Sequence, residues 1–177
     1  MELGFSIPGK LWWIKNFLSY DMYKGIHNSV IKDRKRIELE TSKGTWPKDL
    51  IRYSKPPLIK NRVNSVALEQ LLTLIKHNAF YQLDEIKSHN FNVHYLEKDA
   101  GIDWHNDGGT KYGATYYLNN KWNKNWGGEF MFTDKDGHGW IPPVGNSLML
   151  VKNPLEHKVN PVLTTTVPRI SIQIFIK

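Results

Sequence analysis

Four side chains in the C-terminal half of the chain, His105, Asp107, His157 and Arg169, have the types and spacing of a metal and anion site. His105 and Asp107 are two residues apart, so on an extended strand both leave the same face and converge on one point. His157 arrives much later, as a site assembled from non-adjacent strands requires. Two imidazoles and a carboxylate suit a divalent metal that keeps open coordination positions. Arg169 adds a planar fork that takes a carboxylate through two hydrogen bonds.

The element that must present Arg169 is written in strict alternation. In Arg169-Ile170-Ser171-Ile172-Gln173-Ile174-Phe175-Ile176 every even position is isoleucine, while Arg169, Ser171 and Gln173 share the other face. This is a strand with one buried side. Taken with His105, Asp107 and His157, its polar face lines a cavity that receives a carboxylate, and the ligand set is that of a non-haem iron site with an oxo acid. Phe91 to Leu96 reads as a further strand, and Lys98-Asp99-Ala100-Gly101 as the turn into the strand of His105. His94 lies on the opposite face from Tyr95 and is passed over as a ligand. A rival cluster, Asp134-Lys135-Asp136-Gly137-His138, is better explained as a hairpin, because Asp-Gly stands between Phe130-Met131-Phe132 and Trp140-Ile141. It also lacks the later glutamate of a calcium loop.

The ordered series Tyr95, His105-Asn106-Asp107, Tyr116-Tyr117-Leu118-Asn119, Trp122, Gly127-Gly128-Glu129, Pro143-Val144-Gly145, His157-Lys158-Val159, Pro161-Val162 and Arg169-Ile170-Ser171 resembles the Fe(II)- and 2-oxoglutarate-dependent dioxygenases, in their prolyl 4-hydroxylase branch. The resemblance implies a double-stranded β-helix, a jelly-roll or cupin-like barrel, mainly β with N-terminal helices packed on one sheet. It implies His105, Asp107 and His157 as iron ligands, and Arg169 as partner of the distal carboxylate of 2-oxoglutarate. By the same resemblance Tyr117 supports that carboxylate and Tyr95 faces the iron and co-substrate. Thr115, on the strand face of Tyr117, joins Ser171 and Gln173 in lining the co-substrate pocket. The spacing from His157 to Arg169, padded by Leu163-Thr164-Thr165-Thr166, departs from the family pattern, and a loop of this kind lengthens without moving its strands. The chemistry implied is hydroxylation of an unactivated C–H by dioxygen, with decarboxylation of 2-oxoglutarate to succinate and CO2 and with ascorbate as an accessory reductant.

The rest of the chain reads as support. Its 177 residues, 40% hydrophobic, form one domain: a scaffold and substrate-side loop over 1–90 and the catalytic barrel over 91–177. Leu11 to Leu18 is β-prone, and Ser19 caps a helix running to about Ile31. Residues 40–64 are rich in Lys, Pro, Gly and Thr. Trp46-Pro47 and Pro56-Pro57 bar regular structure across them, so the segment is a loop, assigned to covering the substrate. Leu68, Leu71, Leu72 and Ile75 make an i, i+3, i+4, i+7 stripe, an amphipathic helix over 66–76 with no chemical role.

Composition bounds the partners. There are no cysteines, which excludes thiolate metal sites and a disulfide scaffold. The N-terminus lacks a basic region followed by an apolar run, and no window suits a membrane span, which predicts a soluble cytoplasmic protein. The net charge of +7 also fits nucleic acid or an acidic partner, so the rival from another class is a catalytically silent barrel acting as a basic binding module. Against this, the densest basic run, Lys32-Asp33-Arg34-Lys35-Arg36, is followed by Glu38 and Glu40 and reads as a solvated face. No RNA-binding aromatic signature or helix-turn-helix pattern accompanies it. The expected substrate is a prolyl residue in a peptide or protein, with a free amino acid next. Trp104, Trp122 and Trp140 are the expected rim of its binding site, with Trp126 beside them.

Overall fold

The computed structural model describes residues 1–32, 46–60, 65–135 and 137–177. The basic run beyond Lys32 with Glu38 and Glu40, both ends of the 40–64 segment (40–45 and 61–64) and Asp136 lie outside the described residues. The chain opens with a hairpin of β1 (Glu2–Ile7) and β2 (Leu11–Lys15), turning at Gly9, whose φ of +74° suits a residue without a Cβ. Helix α1 (Tyr20–Lys32) follows, with the Ser19 hydroxyl accepting from the Met22 amide at 3.4 Å. In the prolines' segment the structure corrects the expectation of an unstructured loop. A 3-10 turn (Lys48–Ile51) and a short strand β3 (Leu58–Lys60) form there, because Pro56 and Pro57 precede the strand and so withhold no amide from its ladder.

Helix α2 (Val66–Lys76) starts where Ser65 caps the Leu68 amide, and it buries Leu68, Leu71, Leu72 and Ile75. The remaining strands are β4 (His89–Leu96), β5 (Ile102–His105), β6 (Tyr112–Tyr117), β7 (Phe130–Asp134), β8 (Gly137–Ile141), β9 (Ser147–Lys152), β10 (Glu156–Val159) and β11 (Arg169–Ile176). They form two antiparallel sheets, ordered β1-β2-β9-β6-β11-β4-β3 and β5-β10-β7-β8. The pairing of Asp134 with Gly137 closes the β7–β8 hairpin that displaced the rival metal cluster.

Each sheet face has a distinct duty. The outer face of the larger sheet packs Ile170, Ile172, Ile174 and Ile176 against Tyr23 and Ile26 of α1 and the apolar stripe of α2. Its inner face meets the smaller sheet through Leu96, Tyr117, Met149 and Val151 on one side and Ile102, Phe130, Phe132, Ile141 and Val159 on the other. The result is a jelly-roll-like pair of facing sheets, and among the described residues the strand ladders do not close into the expected barrel. β11 lies between β4 and β6, so everything on its inner face points into the space between the sheets.

Candidate active site

His105, Asp107 and His157 come together between the sheets, with one ligand atom from each lying within 4.8 Å of the others. Antiparallel pairing of β5 with β10 sets His105 directly opposite His157, their rings 4.3 Å apart. Each ring is aimed by its own backbone. His105 Nδ1 lies 2.7 Å from the Asp103 carbonyl and His157 Nδ1 lies 2.8 Å from the Leu155 carbonyl. A carbonyl oxygen only accepts, so Nδ1 carries the proton in both rings and Nε2 presents its lone pair inward. Those Nε2 atoms flank the Asp107 carboxylate at 3.7 and 3.8 Å. Burial, with His105 beside it, holds His157 below the ordinary imidazole range, although Asp107 opposes this.

Asp107 reaches the cluster by a route other than the expected strand. β5 ends at His105, and Asp107 stands in the loop beyond it. That loop is pinned through the Asp107 carbonyl, which accepts from the Thr110 hydroxyl at 2.9 Å and from Asn153 Nδ2 at 3.3 Å. The carboxylate rests against β6 at Gly113, where a Cβ would lie 2.9 Å from Asp107 Oδ2. Glycine there gives the third ligand its room.

Arg169 is 1% exposed, a cation enclosed at the start of β11. Its register is held by Asn119, whose Oδ1 accepts from the Ile170 amide while its Nδ2 donates to the Pro168 carbonyl, both at 2.8 Å. Gly128, at φ +73°, passes so close that a Cβ would meet Arg169 Cδ at 3.0 Å, which accounts for one of the paired glycines. Nη1 donates to Ser171 Oγ at 3.2 Å, and the guanidinium lies over the Tyr117 ring at 5.1 Å. Nε and Nη2 have no hydrogen-bond partner among the described residues. These two donors form one edge of the guanidinium, the edge that takes both oxygens of a carboxylate. Tyr117 and Ser171 both contact Arg169 without lining the cavity, and the Tyr117 hydroxyl lies 3.9 Å from Met149 Sδ. Thr115 and Gln173 line the cavity and are joined to each other at 2.7 Å.

The cavity that links the two clusters has a volume of about 270 Å³. Besides the polar residues, its walls are apolar, with Trp46, Ile102, Phe130, Met149, Val151 and Phe175 among them. Tyr95 does not face it. Its hydroxyl donates to the Val30 carbonyl at 3.0 Å within the helix-side core, and the adjacent His94 takes the inner face, 4% exposed with Nε2 unpartnered. None of the three expected rim tryptophans lines the cavity. Trp104 is half exposed under Lys158, and Trp140 is exposed beside Phe5 and Phe132. Trp122 packs edge-on against Trp126 and donates to the Gly127 carbonyl, bracing the glycine pair. Sequence reasoning missed His94 and Gly113, and it placed Trp46 only as part of the segment assigned to covering the substrate. Of the two missed residues, His94 had left a signal, the polar half of the β4 alternation.

Comparison with known proteins agrees with this arrangement. Residues 89–177 match the model of the 2OG-Fe(II) oxygenase superfamily. A prolyl-4-hydroxylase from Pseudomonas putida superposes with a TM-score of 0.71 at 17% identity, covering 95% of this chain and 92% of that one. A prolyl hydroxylase from Trichoplax adhaerens, in complex with a peptide fragment of the hypoxia inducible factor oxygen degradation domain, gives 0.76 at 18% identity over 96% and 84%. A non-heme α-ketoglutarate-dependent epimerase from nogalamycin biosynthesis gives 0.65 at 12% identity over 95% and 78%. No curated protein sequence matches the chain. The superfamily's chemistry implies Fe(II), 2-oxoglutarate and O2. The residues present fit both the metal and the oxo acid, since three inward ligand atoms and an orphaned guanidinium edge open on one cavity. The chain belongs to the 2OG-Fe(II) oxygenase superfamily.

Proposed function

We propose that this dioxygenase hydroxylates an unactivated C–H of a prolyl residue in a peptide or protein, releasing succinate and CO2. The observation that carries the reading is the shared cavity of the His105, Asp107 and His157 cluster and the free edge of Arg169. His105 and His157 hold iron through Nε2 and Asp107 through its carboxylate, the anion offsetting part of the metal charge. The bound iron supplies the activation of dioxygen, driven by oxidative decarboxylation of the co-substrate. Arg169 grips the distal carboxylate of 2-oxoglutarate with Nε and Nη2, while Ser171 and Tyr117 keep the guanidinium still. Thr115 and Gln173 flank the chain of the oxo acid, and Ile102, Phe130, Met149 and Val151 keep water out.

The charges of the cavity support a peptide over a free amino acid. Among the described residues, the one carboxylate and the one guanidinium lining it are those of Asp107 and Arg169, both assigned to metal and co-substrate, and no lysine lines it. A zwitterionic amino acid would find no partner for its own ammonium and carboxylate, whereas a prolyl residue within a chain carries neither. The Trichoplax neighbour with its bound peptide points the same way. Trp46 and Leu50, from the segment assigned to substrate covering, form part of the wall. A silent binding module is disfavoured because every ligand and anchor position holds a competent side chain.

The test is anaerobic addition of Fe(II) and then 2-oxoglutarate to metal-free protein. A visible charge-transfer band is expected, and it should vanish in His157→Ala and His105→Ala. A protein that binds Fe(II) but never develops the band would sink the oxygenase reading. Prolyl specificity is then checked by mass spectrometry, as a gain of one oxygen on proline-containing peptides and none on free proline.

A further inference from the structure

His94 is the buried polar group of the cavity for which the ligand and co-substrate assignments leave no task. It sits on β4 directly opposite Ser171, the residue that anchors Arg169 Nη1. It is 4% exposed, it lines the cavity, and its Nε2 has no hydrogen-bond partner among the described residues. Burial first, and Arg169 second, push its pKa down to about 3, so at neutral pH the ring is uncharged and keeps one N–H to donate. Orphaned polar atoms are costly in a buried setting and are accounted for when a ligand completes them. Here three orphans, His94 Nε2 and Arg169 Nε and Nη2, belong to neighbouring positions of adjacent strands. The His94 ring also meets Trp46, edge-on with centroids 6.0 Å apart and planes at 79°.

We propose that His94 is a further binding residue for the oxo acid, donating a hydrogen bond to the carboxylate that Arg169 grips, and that it couples co-substrate occupancy to the position of Trp46. This rests on the reading that Arg169 receives 2-oxoglutarate. Its consequence is that the segment carrying Trp46 registers the co-substrate before any peptide arrives.

The experiment measures binding of 2-oxoglutarate to the Mn(II)-loaded protein by calorimetry, together with the tryptophan fluorescence that is lost in Trp46→Phe. His94→Phe keeps an aromatic ring against Trp46 and removes the nitrogens. It is expected to weaken 2-oxoglutarate about ten- to a hundredfold, as for loss of a hydrogen bond to a charged group, with Mn(II) affinity unchanged. The Trp46 response to 2-oxoglutarate should disappear with it. His94→Gln, which restores an N–H, should recover most of the affinity, a rescue that a purely structural role would not give. If His94→Phe does not fold, His94→Leu makes the same comparison. Wild-type binding that is lost in Arg169→Ala but unchanged in His94→Phe and His94→Leu overturns this inference alone. A wild-type protein that binds no 2-oxoglutarate overturns the co-substrate reading and this inference with it.

Discussion

Replacing Gly113 with alanine separates the metal site from the fold that carries it. Gly113 is paired with Phe175 on one side and Val151 on the other, so its backbone is fixed by two strands. A Cβ there would come within 2.9 Å of Asp107 Oδ2. The backbone cannot retreat, so the carboxylate must rotate away from the two imidazoles. Misaligning one ligand through its support costs about 10- to 100-fold in metal affinity, or roughly 1.4–2.8 kcal/mol. The φ of Gly113 is in the ordinary range, so alanine brings no backbone strain and contributes roughly 0.4–1 kcal/mol by restricting the unfolded chain. The metal-free protein should therefore unfold in urea within about 1 kcal/mol of wild type, while its Fe(II) affinity, read by anaerobic competition with a chelator, falls. Gly108→Ala is the control, since a Cβ there has nothing closer than Asn106 Oδ1 at 3.5 Å. Wild-type metal affinity in Gly113→Ala, or an equal fall in Gly108→Ala, would refute the reasoning.

Arg169→Lys keeps the charge but loses the two-donor edge, and should weaken 2-oxoglutarate about tenfold or more in calorimetry, with Arg169→Ala weaker still. His94 makes stability depend on pH: its folded pKa is held near 3, so the unfolded chain takes a proton below about 6.5 that the folded one refuses. The stability is present above that pH and is lost on acidification, about 2 kcal/mol between pH 7.5 and 5. His94→Gln should lack that part of the slope in urea unfolding. Leu71→Ala removes a fully buried side chain from the face of α2 against the larger sheet and should cost about 2–5 kcal/mol in denaturant melts, whereas exposed Val66→Ala should stay within about 0.5 kcal/mol.

Where one physical pattern governed a segment, the sequence was enough to read it. The isoleucines of β11 and the leucine stripe of α2 both went to the core, because burial of one face is what fixes a period of two or 3.6. The glycine pair was legible as a motif, and its cause is contact: Gly127 and Gly128 have φ of +71° and +73°, with the Pro161 carbonyl and Arg169 pressing on them. What stayed hidden depended on three-dimensional neighbours. Gly113 is an unremarkable strand glycine until Asp107 is folded onto it. Trp46 lies far in sequence from every ligand, and its place on the cavity wall follows from tertiary packing that no local pattern encodes.

Tyr95 and His94 show how two legible signals can compete. Resemblance to the family aligns a tyrosine at 95 with the co-substrate, while the alternation of Phe91, Val93 and Tyr95 against Asn92 and His94 puts that tyrosine on the apolar side. The rule that placed the isoleucines of β11 applies equally to β4. The two strands are paired residue for residue, so the face opposite Arg169, Ser171 and Gln173 is that of Leu96, His94 and Asn92. Moving Tyr95 inward would need a one-residue slip that turned Phe91 and Val93 out of the helix-side core together. Burial of those two side chains, both 1% exposed, outweighs one tyrosine. The inner position therefore falls to a histidine whose Nε2 has no partner among the described residues.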